Sequence, residues 1–290
     1  MFTTPTKKRL RDSNKEHLET MVHSHENNVP IFCSNRFINL EETPSIPITK
    51  ELIPKVPGAF ILHNFFSPNE CVQRIAATEK MGYDQAKVNF GGGAAQTNTT
   101  IRNNDRVVWQ NKSEDLQPLF SRLMPFLPDH KNCSLKGLKY QDWRTIPSEM
   151  NPYALNERLR FFRYTKGQRF IKHYDGGYFR NDQDRSYMTF IAYLQPCTEG
   201  GHTEFFDAVT EEKITSIPPT AGDALLFYHQ DHPLSPMHSG AEVISGTKYA
   251  IRSDLMYKPG PAVTFEAKES HQKKKQKKTP PASMLTKEYK

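Results

Sequence analysis

The sequence predicts a mainly β protein with flanking helices, in which antiparallel strands form a sandwich or barrel. The first observation is a series of seven short strand-like runs after Asn156, rich in β-branched and aromatic residues. The second is their spacing, because Gly, Pro, Asn and Asp interrupt the runs at intervals of roughly 10–15 residues, without a long helical pattern between them. The third is a pair of helix-like segments ahead of the runs. With 290 residues, 18 Phe and 12 Tyr, the chain can fill a core.

The strand-like runs define the predicted β core, which we expect to span residues 151–259. They are, in order, RLRFFRYTKG, RFIKHYDGGYF, SYMTFIAYLQP, HTEFFDAV, KITSIPP, DALLFYHQ and KYAIRSDLMYK. An earlier apolar run from Ala59 to Leu62 predicts a first strand ahead of this core.

The first predicted helix begins at Ser67, which is a favourable N-cap residue. Pro68 follows at the first helical position, and Glu70 lies three residues after the cap. Helical spacing predicts that its apolar stripe comprises Val72, Ile75 and Ala76.

The second predicted helix lies in SEDLQPLFSRLMPFLP, with Pro118 near its start. Its apolar stripe is expected to comprise Leu116, Leu119, Phe120 and Leu123. Both helices are expected to pack against the β core.

Charge is concentrated at the two ends of the chain. Residues 1–16 carry a net charge of +3 and residues 268–290 a net charge of +6, so the rest of this +7 chain is −2. We expect residues 1–50 to be a disordered basic segment, 51–150 the helical part of the folded domain, and 260–290 a disordered Lys-rich tail. The basic runs in these ends are typical of nuclear targeting or weak nucleic-acid contact, or they are simply solvated.

Cysteine usage and hydropathy indicate the compartment. The four cysteines include no CxxC pair, which argues against a disulfide scaffold or a structural zinc site and favours a reducing compartment; they are Cys33, Cys71, Cys133 and Cys197. The sequence contains no apolar run of membrane-spanning length and does not start with a signal-peptide pattern. We therefore expect an intracellular protein, cytoplasmic or nuclear, without membrane contact.

A metal site is predicted from the stretch FIKHYDGGYF. On a strand, which we expect to be buried, His173 and Asp175 project from the same face because they are two residues apart. Burial of either group is unfavourable unless it has a partner. With a second histidine, predicted to be His238, they form the facial triad that binds Fe(II) and leaves three coordination positions open.

Three other histidines are alternatives to His238 as the third ligand. His202 is expected on a strand beside the Gly200–Gly201 turn, whereas His229 and His232 are expected in loops. None of them has the sequence context of His238, which lies in SPMHSGAEVISGTKYAIRSD.

Four motifs in a fixed order carry a family resemblance. The motifs are RFFRYTKGQRFIKHYD, YLQPCTEGGHTEFF, PPTAGDALLFYH and HSGAEVISGTKYAIRSDLMY. The first motif has a tyrosine ahead of His173 and Asp175. In the last motif, His238 is followed ten residues later by Lys248. From about Gly58 to Lys258, the chain resembles the Fe(II)- and 2-oxoglutarate-dependent dioxygenases, specifically their prolyl 4-hydroxylase-like branch.

The resemblance implies a double-stranded β-helix core of the jelly-roll or cupin type. It also implies that His173, Asp175 and His238 hold Fe(2+), with 2-oxoglutarate and O2 at the open positions. Such enzymes oxidise 2-oxoglutarate to succinate and carbon dioxide while they hydroxylate a C–H bond of the substrate. L-ascorbate, which this branch often uses, is a further candidate cofactor. No catalytic side chain is expected beyond the ligands of the metal and the co-substrate.

The same resemblance implies the 2-oxoglutarate ligands. Lys248 matches the family's cation by its spacing, but Arg252 lies four residues further along and is expected to share a strand face with Lys248 and His238. Either cation could bind the distal carboxylate, and either could instead form a salt bridge to an acid such as Asp254. Hydroxyl donors near the co-substrate are expected from Tyr164 and Tyr193.

The expected substrate is a prolyl or other residue of an intracellular protein. One alternative is oxidative demethylation of nucleic acid, which the basic ends favour and the negative body disfavours. The other is a non-catalytic barrel that acts as a binding module. The Gly-rich segment Asn89–Thr100, which precedes Arg102 and Arg106, is predicted to be a lid over the substrate.

Overall fold

The computed structural model describes the backbone of residues 22–23 and 30–31 and all atoms of residues 45–87, 97–129, 146–229 and 232–261. Most of the two predicted terminal segments and of the predicted lid, Asn89–Thr100, lies outside the described residues. The described chain already forms a strand at Thr49–Leu52.

The described residues form two α-helices, two short 3-10 helices and 19 strands. The helices are α1 (Pro68–Met81), α2 (Gln117–Leu123) and the 3-10 helices Ser113–Leu116 and Met124–Phe126. The strands are β1 (Val22–His23), β2 (Pro30–Ile31), β3 (Thr49–Leu52), β4 (Phe60–His63), β5 (Asp84–Gln85), β6 (Arg102–Asn103), β7 (Asp105–Gln110), β8 (Met150–Leu155), β9 (Arg158–Tyr164), β10 (Arg169–His173), β11 (Phe179–Asn181), β12 (Asp184–Gln195), β13 (Glu199–Gly200), β14 (Thr203–Phe206), β15 (Lys213–Ile217), β16 (Ala224–Tyr228), β17 (Met237–Gly240), β18 (Val243–Ser245) and β19 (Lys248–Pro259).

Two large sheets form the core. The main sheet has the antiparallel series β9-β19-β12-β16 at its centre, and the second sheet has the order β15-β14-β17-β10-β6. From β9 to β19 the chain crosses repeatedly between the two sheets, in the pattern of a double-stranded β-helix or jelly roll. This topology confirms the predicted fold class.

The main sheet is buried on both faces, as the alternation of β12 illustrates. Met188 and Phe190 belong to the apolar cluster that also contains residues of α2, such as Phe120. Ile191 and Tyr193 point to the opposite face, toward the second sheet. The candidate site therefore lies between the sheets, and the helices support the sheet from behind.

Helix α1 begins as predicted, with Ser67 and Glu70 forming a reciprocal capping box. Its predicted apolar stripe is wrong in part: Ile75 packs against the core, but Val72 is 63% exposed and the buried face also carries Glu70, Cys71 and Arg74. A charge pair accounts for the difference: the buried Glu70 carboxylate accepts hydrogen bonds of 2.8 and 3.0 Å from Arg122 on α2.

Helix α2 has the predicted buried stripe, since Leu119, Phe120 and Leu123 are almost inaccessible to solvent. Leu116, the first residue of that stripe, ends the preceding 3-10 helix and is also buried. Among the described residues, no helix combines the length and the apolar character needed to cross a membrane.

Candidate metal centre

Three predicted ligands meet at one end of the space between the sheets. His173 is the last residue of β10, and it lies directly opposite His238 on the neighbouring antiparallel strand β17. Asp175 follows two residues after the end of β10, and each of the three side chains has a donor atom within 4.8 Å of the others. Strand β10 is partly exposed rather than buried, because it lies near the rim of the second sheet, where only the two-residue edge strand β6 covers its side away from β17.

Both imidazole rings direct Nε2 toward the aspartate. The Nδ1–H of His173 donates to the carbonyl of Ile171 at 2.7 Å, and that of His238 donates to the carbonyl of Pro236 at 3.2 Å. The two Nε2 atoms then lie 3.6 and 3.7 Å from the carboxylate oxygens of Asp175. A backbone carbonyl on Nδ1 fixes the tautomer whose Nε2 lone pair binds a metal.

Two side chains outside the triad orient Asp175. Thr189 Oγ1 donates to Oδ2 at 2.8 Å, and Arg252 Nη2 lies 3.2 Å from Oδ1. Burial by itself would raise the pKa of Asp175, but the Arg252 guanidinium, aided by His173 and His238, holds it well below its usual value. The carboxylate is therefore ionised across the physiological range, as metal ligation requires.

Aromatic packing holds the histidine rings in place. Phe170 stacks on His173 with ring centroids 3.6 Å apart and planes tilted by 19°. The ring of Phe227 lies 4.7 Å from that of His238. Burial, with some repulsion from His173, lowers the pKa of His238 to about 4, so this ring is neutral and able to ligate at neutral pH.

The donor set fits iron(II). Two imidazole nitrogens and one carboxylate, with fixed tautomers and an ionised acid, are the ligands of the facial triad. The remaining side of the site faces a cavity of about 540 Å³, counting its part open to solvent. A metal held here has room for further ligands from that cavity.

The alternative histidines lie outside this cluster. His229 and His232 are in a loop as predicted, where His229 Nε2 pairs with Ser186 at 2.9 Å and His232 stacks on Tyr228 at 3.7 Å. His202 lies in the connection between β13 and β14 rather than on a strand.

A buried lysine lies further along the same cavity. Lys248 is 5% exposed, and its Nζ donates to the carbonyl of Gly201 at 2.6 Å. Within the described residues no carboxylate pairs with it. Burial lowers its pKa to about 8. A buried ammonium with a single carbonyl partner has unused hydrogen-bond donors for an anion such as a carboxylate.

The rings of two tyrosines flank this ammonium. The Nζ atom lies 5.4 Å from the ring centroids of both Tyr164 and Tyr193. Tyr193, which is fully buried, pairs through its hydroxyl with Thr203 Oγ1 at 2.8 Å. Gly201 has φ +66°, and a Cβ at this position would lie 2.5 Å from Cys197 Sγ, so glycine is required where the carbonyl meets Lys248.

Arg252 occupies a different environment from Lys248. It contacts both Asp175, at 3.2 Å, and Asp254, at 3.3 Å, so its charge is already compensated. The expectation that His238 shares its strand was wrong: His238 lies on β17 of the second sheet, and Lys248 and Arg252 lie on β19 of the main sheet. The two sheets face each other, so all three nevertheless line one cavity.

Three residues around the cavity were not selected from the sequence. Thr203 lies in the Gly-Gly-x-Thr motif, which was a signal, but its pairing with Tyr193 depends on the fold. Thr189 and Arg102 reach the site from β12 and β6, and no local pattern indicated this.

Two solved prolyl hydroxylases are similar to this chain, at low sequence identity and with TM-scores below 0.5. The viral collagen prolyl hydroxylase from Paramecium Bursaria Chlorella virus-1, in its 2OG complex, is 20% identical with a TM-score of 0.42, over 71% of this chain and 96% of that one. The prolyl hydroxylase from Trichoplax adhaerens, in complex with a hypoxia inducible factor oxygen degradation domain peptide fragment, is 18% identical with a TM-score of 0.45, over 70% of this chain and 84% of that one.

Sequence comparison gives the family. Residues 159–253, which contain the triad and Lys248, match the 2OG-Fe(II) oxygenase superfamily. Probable prolyl 4-hydroxylase 3 of Arabidopsis thaliana is 25% identical over 224 residues, covering 69% of each chain. Prolyl 4-hydroxylase 2 of the same plant is 25% identical over 241 residues, covering 73% of this chain and 72% of that protein. The comparisons therefore identify residues 159–253 as a match to the 2OG-Fe(II) oxygenase superfamily, and they show that the chain is similar to the prolyl 4-hydroxylases.

Proposed function

We propose that the protein hydroxylates a C–H bond in a residue of an intracellular protein, with proline as the first residue to test. The observation that carries this proposal is the pairing, in one cavity, of the His173–Asp175–His238 triad with the buried Lys248, which has no acidic partner among the described residues. The names of the curated relatives, which are prolyl 4-hydroxylases, support the choice of proline.

In this proposal His173, Asp175 and His238 hold iron(II), which, together with 2-oxoglutarate and O2, supplies the oxidising power for C–H hydroxylation. Lys248 binds the distal carboxylate of 2-oxoglutarate through a charge-assisted hydrogen bond, and Tyr164 and the Tyr193–Thr203 pair are the sources of hydroxyl donors.

Thr189 and Arg252 act as positioning residues. They hold the Asp175 carboxylate ionised and aligned through one hydrogen bond and one ion pair. Buried side chains such as Phe227 and Ala250 exclude water from the closed end of the cavity, which strengthens every polar interaction there.

The surface beside the metal site supports a polypeptide substrate. Four apolar or aromatic side chains that lie within six residues of His173 in the sequence are 39–51% exposed; they are Ile171, Tyr174, Tyr178 and Phe179. Exposed aromatic residues are enriched at protein-binding surfaces. The free thiols of Cys71 and Cys197 are consistent with an intracellular, reducing environment.

The test is a paired assay on the full chain. Purified protein is supplied with iron(II), 2-oxoglutarate, O2 and L-ascorbate, and succinate release is measured with and without a proline-containing peptide library. We expect succinate release that depends on iron, is stimulated by some peptides and is accompanied by a gain of one oxygen atom in those peptides, detected by mass spectrometry. Omission of L-ascorbate should shorten the period of linear turnover. The His173→Ala variant is the matched control, and equal succinate release from it would contradict the proposal.

A further inference from the structure

A group of arginines continues from the metal site along the inner face of the main sheet. Arg252 is directly opposite Arg160 on β9, and Arg158 follows on the same face of that strand. Arg106 on β7 is opposite Phe162, which places it on this face too. Arg102, on β6, lines the cavity together with His173. We call Arg102, Arg106 and Arg158 the arginine wall.

The arginines of the wall have no ion-pair partner within the described residues, although Asp175 lies near Arg102 and Asp254 near Arg158. Asp254 pairs with Arg160 and Arg252, and Asp175 pairs with Arg252. No carboxylate of the described chain lies within ion-pair distance of Arg102, Arg106 or Arg158, although these guanidinium groups are only partly exposed. Partly buried cations without acidic partners form a surface that favours anions.

The guanidinium groups of the wall repel one another. Burial, with repulsion from Arg102, Arg158 and Arg160, lowers the pKa of Arg106 to about 10. The Nε atom of Arg158 is buried and has no hydrogen-bond partner in the described residues. An anion placed among these side chains relieves the repulsion and satisfies the unused donors.

Arg102 is held in a fixed position beside the metal site. Its guanidinium lies between the rings of Phe162 and Phe170, 4.4 and 4.6 Å from their centroids, and its Nε donates to Asn104 Oδ1 at 2.8 Å. The guanidinium also lies beside the Tyr164 hydroxyl, and the stacking fixes the direction of its remaining donors. Phe170 also stacks on His173, so a single aromatic ring lies between Arg102 of the wall and a candidate metal ligand.

We propose that the arginine wall binds carboxylate side chains of the substrate polypeptide, so that the hydroxylated residue lies in an acidic segment. This inference rests on the proposed function, because it assumes a polypeptide substrate, and it adds a requirement on the sequence around the modified residue. Carboxylates are favoured over a nucleic-acid backbone because the wall has three free cations only and the body of the chain carries a net charge of −2. Tyr178 near Arg158 provides the aromatic contact that suits a peptide.

Peptide binding tests the inference without requiring turnover. The full chain is loaded with iron(II) and 2-oxoglutarate without oxygen, and fluorescence anisotropy measures binding of labelled peptides with a central proline. One peptide has Asp and Glu on both sides of the proline, and its matched partner has Asn and Gln. We expect the acidic peptide to bind at least tenfold more tightly, with a preference that weakens as salt is added.

Variants assign the preference to the wall. The double variant Arg106→Gln/Arg158→Gln should lose the preference for the acidic peptide, and Arg106→Lys/Arg158→Lys should keep most of it, because charge is retained. Lys213→Gln is the control, since Lys213 lies on β15, at the opposite edge of the second sheet from Arg102. Thermal unfolding of each variant separates loss of binding from loss of the fold.

The possible results are distinct. Equal binding of the acidic and neutral peptides to the wild-type protein would overturn the inference. Preferential binding of a single-stranded oligonucleotide that is lost in the Gln double variant would also overturn it, by assigning the wall to phosphates. The proposed function fails separately, if the wild-type protein does not convert 2-oxoglutarate to succinate in the presence of iron(II).

Discussion

Lys248 and Gly201 are joined by a 2.6 Å hydrogen bond from a buried ammonium to a backbone carbonyl. In the described part of the chain no carboxylate forms an ion pair with this ammonium, whereas Arg252, four residues further along β19, contacts two carboxylates. The sequence left open which of the two cations binds 2-oxoglutarate. Because Arg252 already has acidic partners and Lys248 has none among the described residues, Lys248 is favoured as the cation that binds 2-oxoglutarate.

Removal of the Lys248 charge should therefore weaken 2-oxoglutarate binding. For Lys248→Ala we expect the KM for 2-oxoglutarate to rise by about 100-fold, as for the loss of a partly buried charge-assisted contact worth roughly 3 kcal/mol. Initial-rate kinetics at varied 2-oxoglutarate measure the effect. Lys248→Met, which keeps the side-chain volume, controls for packing. An unchanged KM in both variants would assign the carboxylate to another cation.

The affinity for 2-oxoglutarate should depend on pH. Burial lowers the pKa of Lys248 to about 8, so the ammonium is charged below this pH and progressively neutral above it. Because only the charged form attracts a carboxylate, the KM for 2-oxoglutarate should be constant below pH 8 and rise above it by up to about tenfold per pH unit. Lys248→Arg, whose guanidinium stays charged, should flatten this profile even if its KM is higher. A rise of equal slope in the Arg variant would place the titrating group elsewhere.

Metal affinity should depend on residues that do not touch the metal. Arg252→Gln removes the ion pair that lowers the pKa of Asp175, and Thr189→Val removes the hydrogen bond to Oδ2. Each change should weaken iron(II) binding by about 10- to 100-fold, the usual effect of losing a group that orients a metal ligand. Anaerobic calorimetric titration with iron(II) measures it. Arg252→Lys should recover part of the affinity, which a purely structural defect would not show.

Fold stability should depend on the buried ion pair between the two helices. Glu70 and Arg122 have side chains that are 2% and 7% exposed, and their closest atoms are 2.8 Å apart. Glu70→Gln should lower the free energy of unfolding by about 3–5 kcal/mol, because it leaves a buried guanidinium without its partner. Glu114→Gln, which removes the exposed partner of Lys112, should change it by less than about 1 kcal/mol. Urea denaturation compares the two variants.

Much of the fold followed from local patterns in the sequence. All seven strand-like runs after Asn156 form strands, because alternating apolar residues between turn residues encode a strand that is buried on at least one face. Strand β8 was not predicted because Pro152 interrupts it, which is tolerated because β8 pairs with β19 alone. Strand β17 has only four residues, and its two neighbouring strands hold it in place.

Part of the candidate site could likewise be predicted from the sequence, and part could not. The triad was predicted because spacing places His173 near Asp175 and the surrounding motifs select His238. The ion pair of Arg252 with Asp175 was not predicted, because it joins residues 77 positions apart across facing sheets. The buried face of α1 was predicted wrongly for the same reason: Glu70 is buried only because α2 brings Arg122 to it.

The central claim is that His173, Asp175 and His238 together hold one iron(II) ion. Anaerobic titration of the full chain with iron(II), followed by calorimetry, tests it most directly. We expect one ion per chain in the wild-type protein and in His202→Ala, and no binding at the same concentrations in His173→Ala, Asp175→Ala or His238→Ala. Undiminished binding of one ion in any of these three variants would contradict the account.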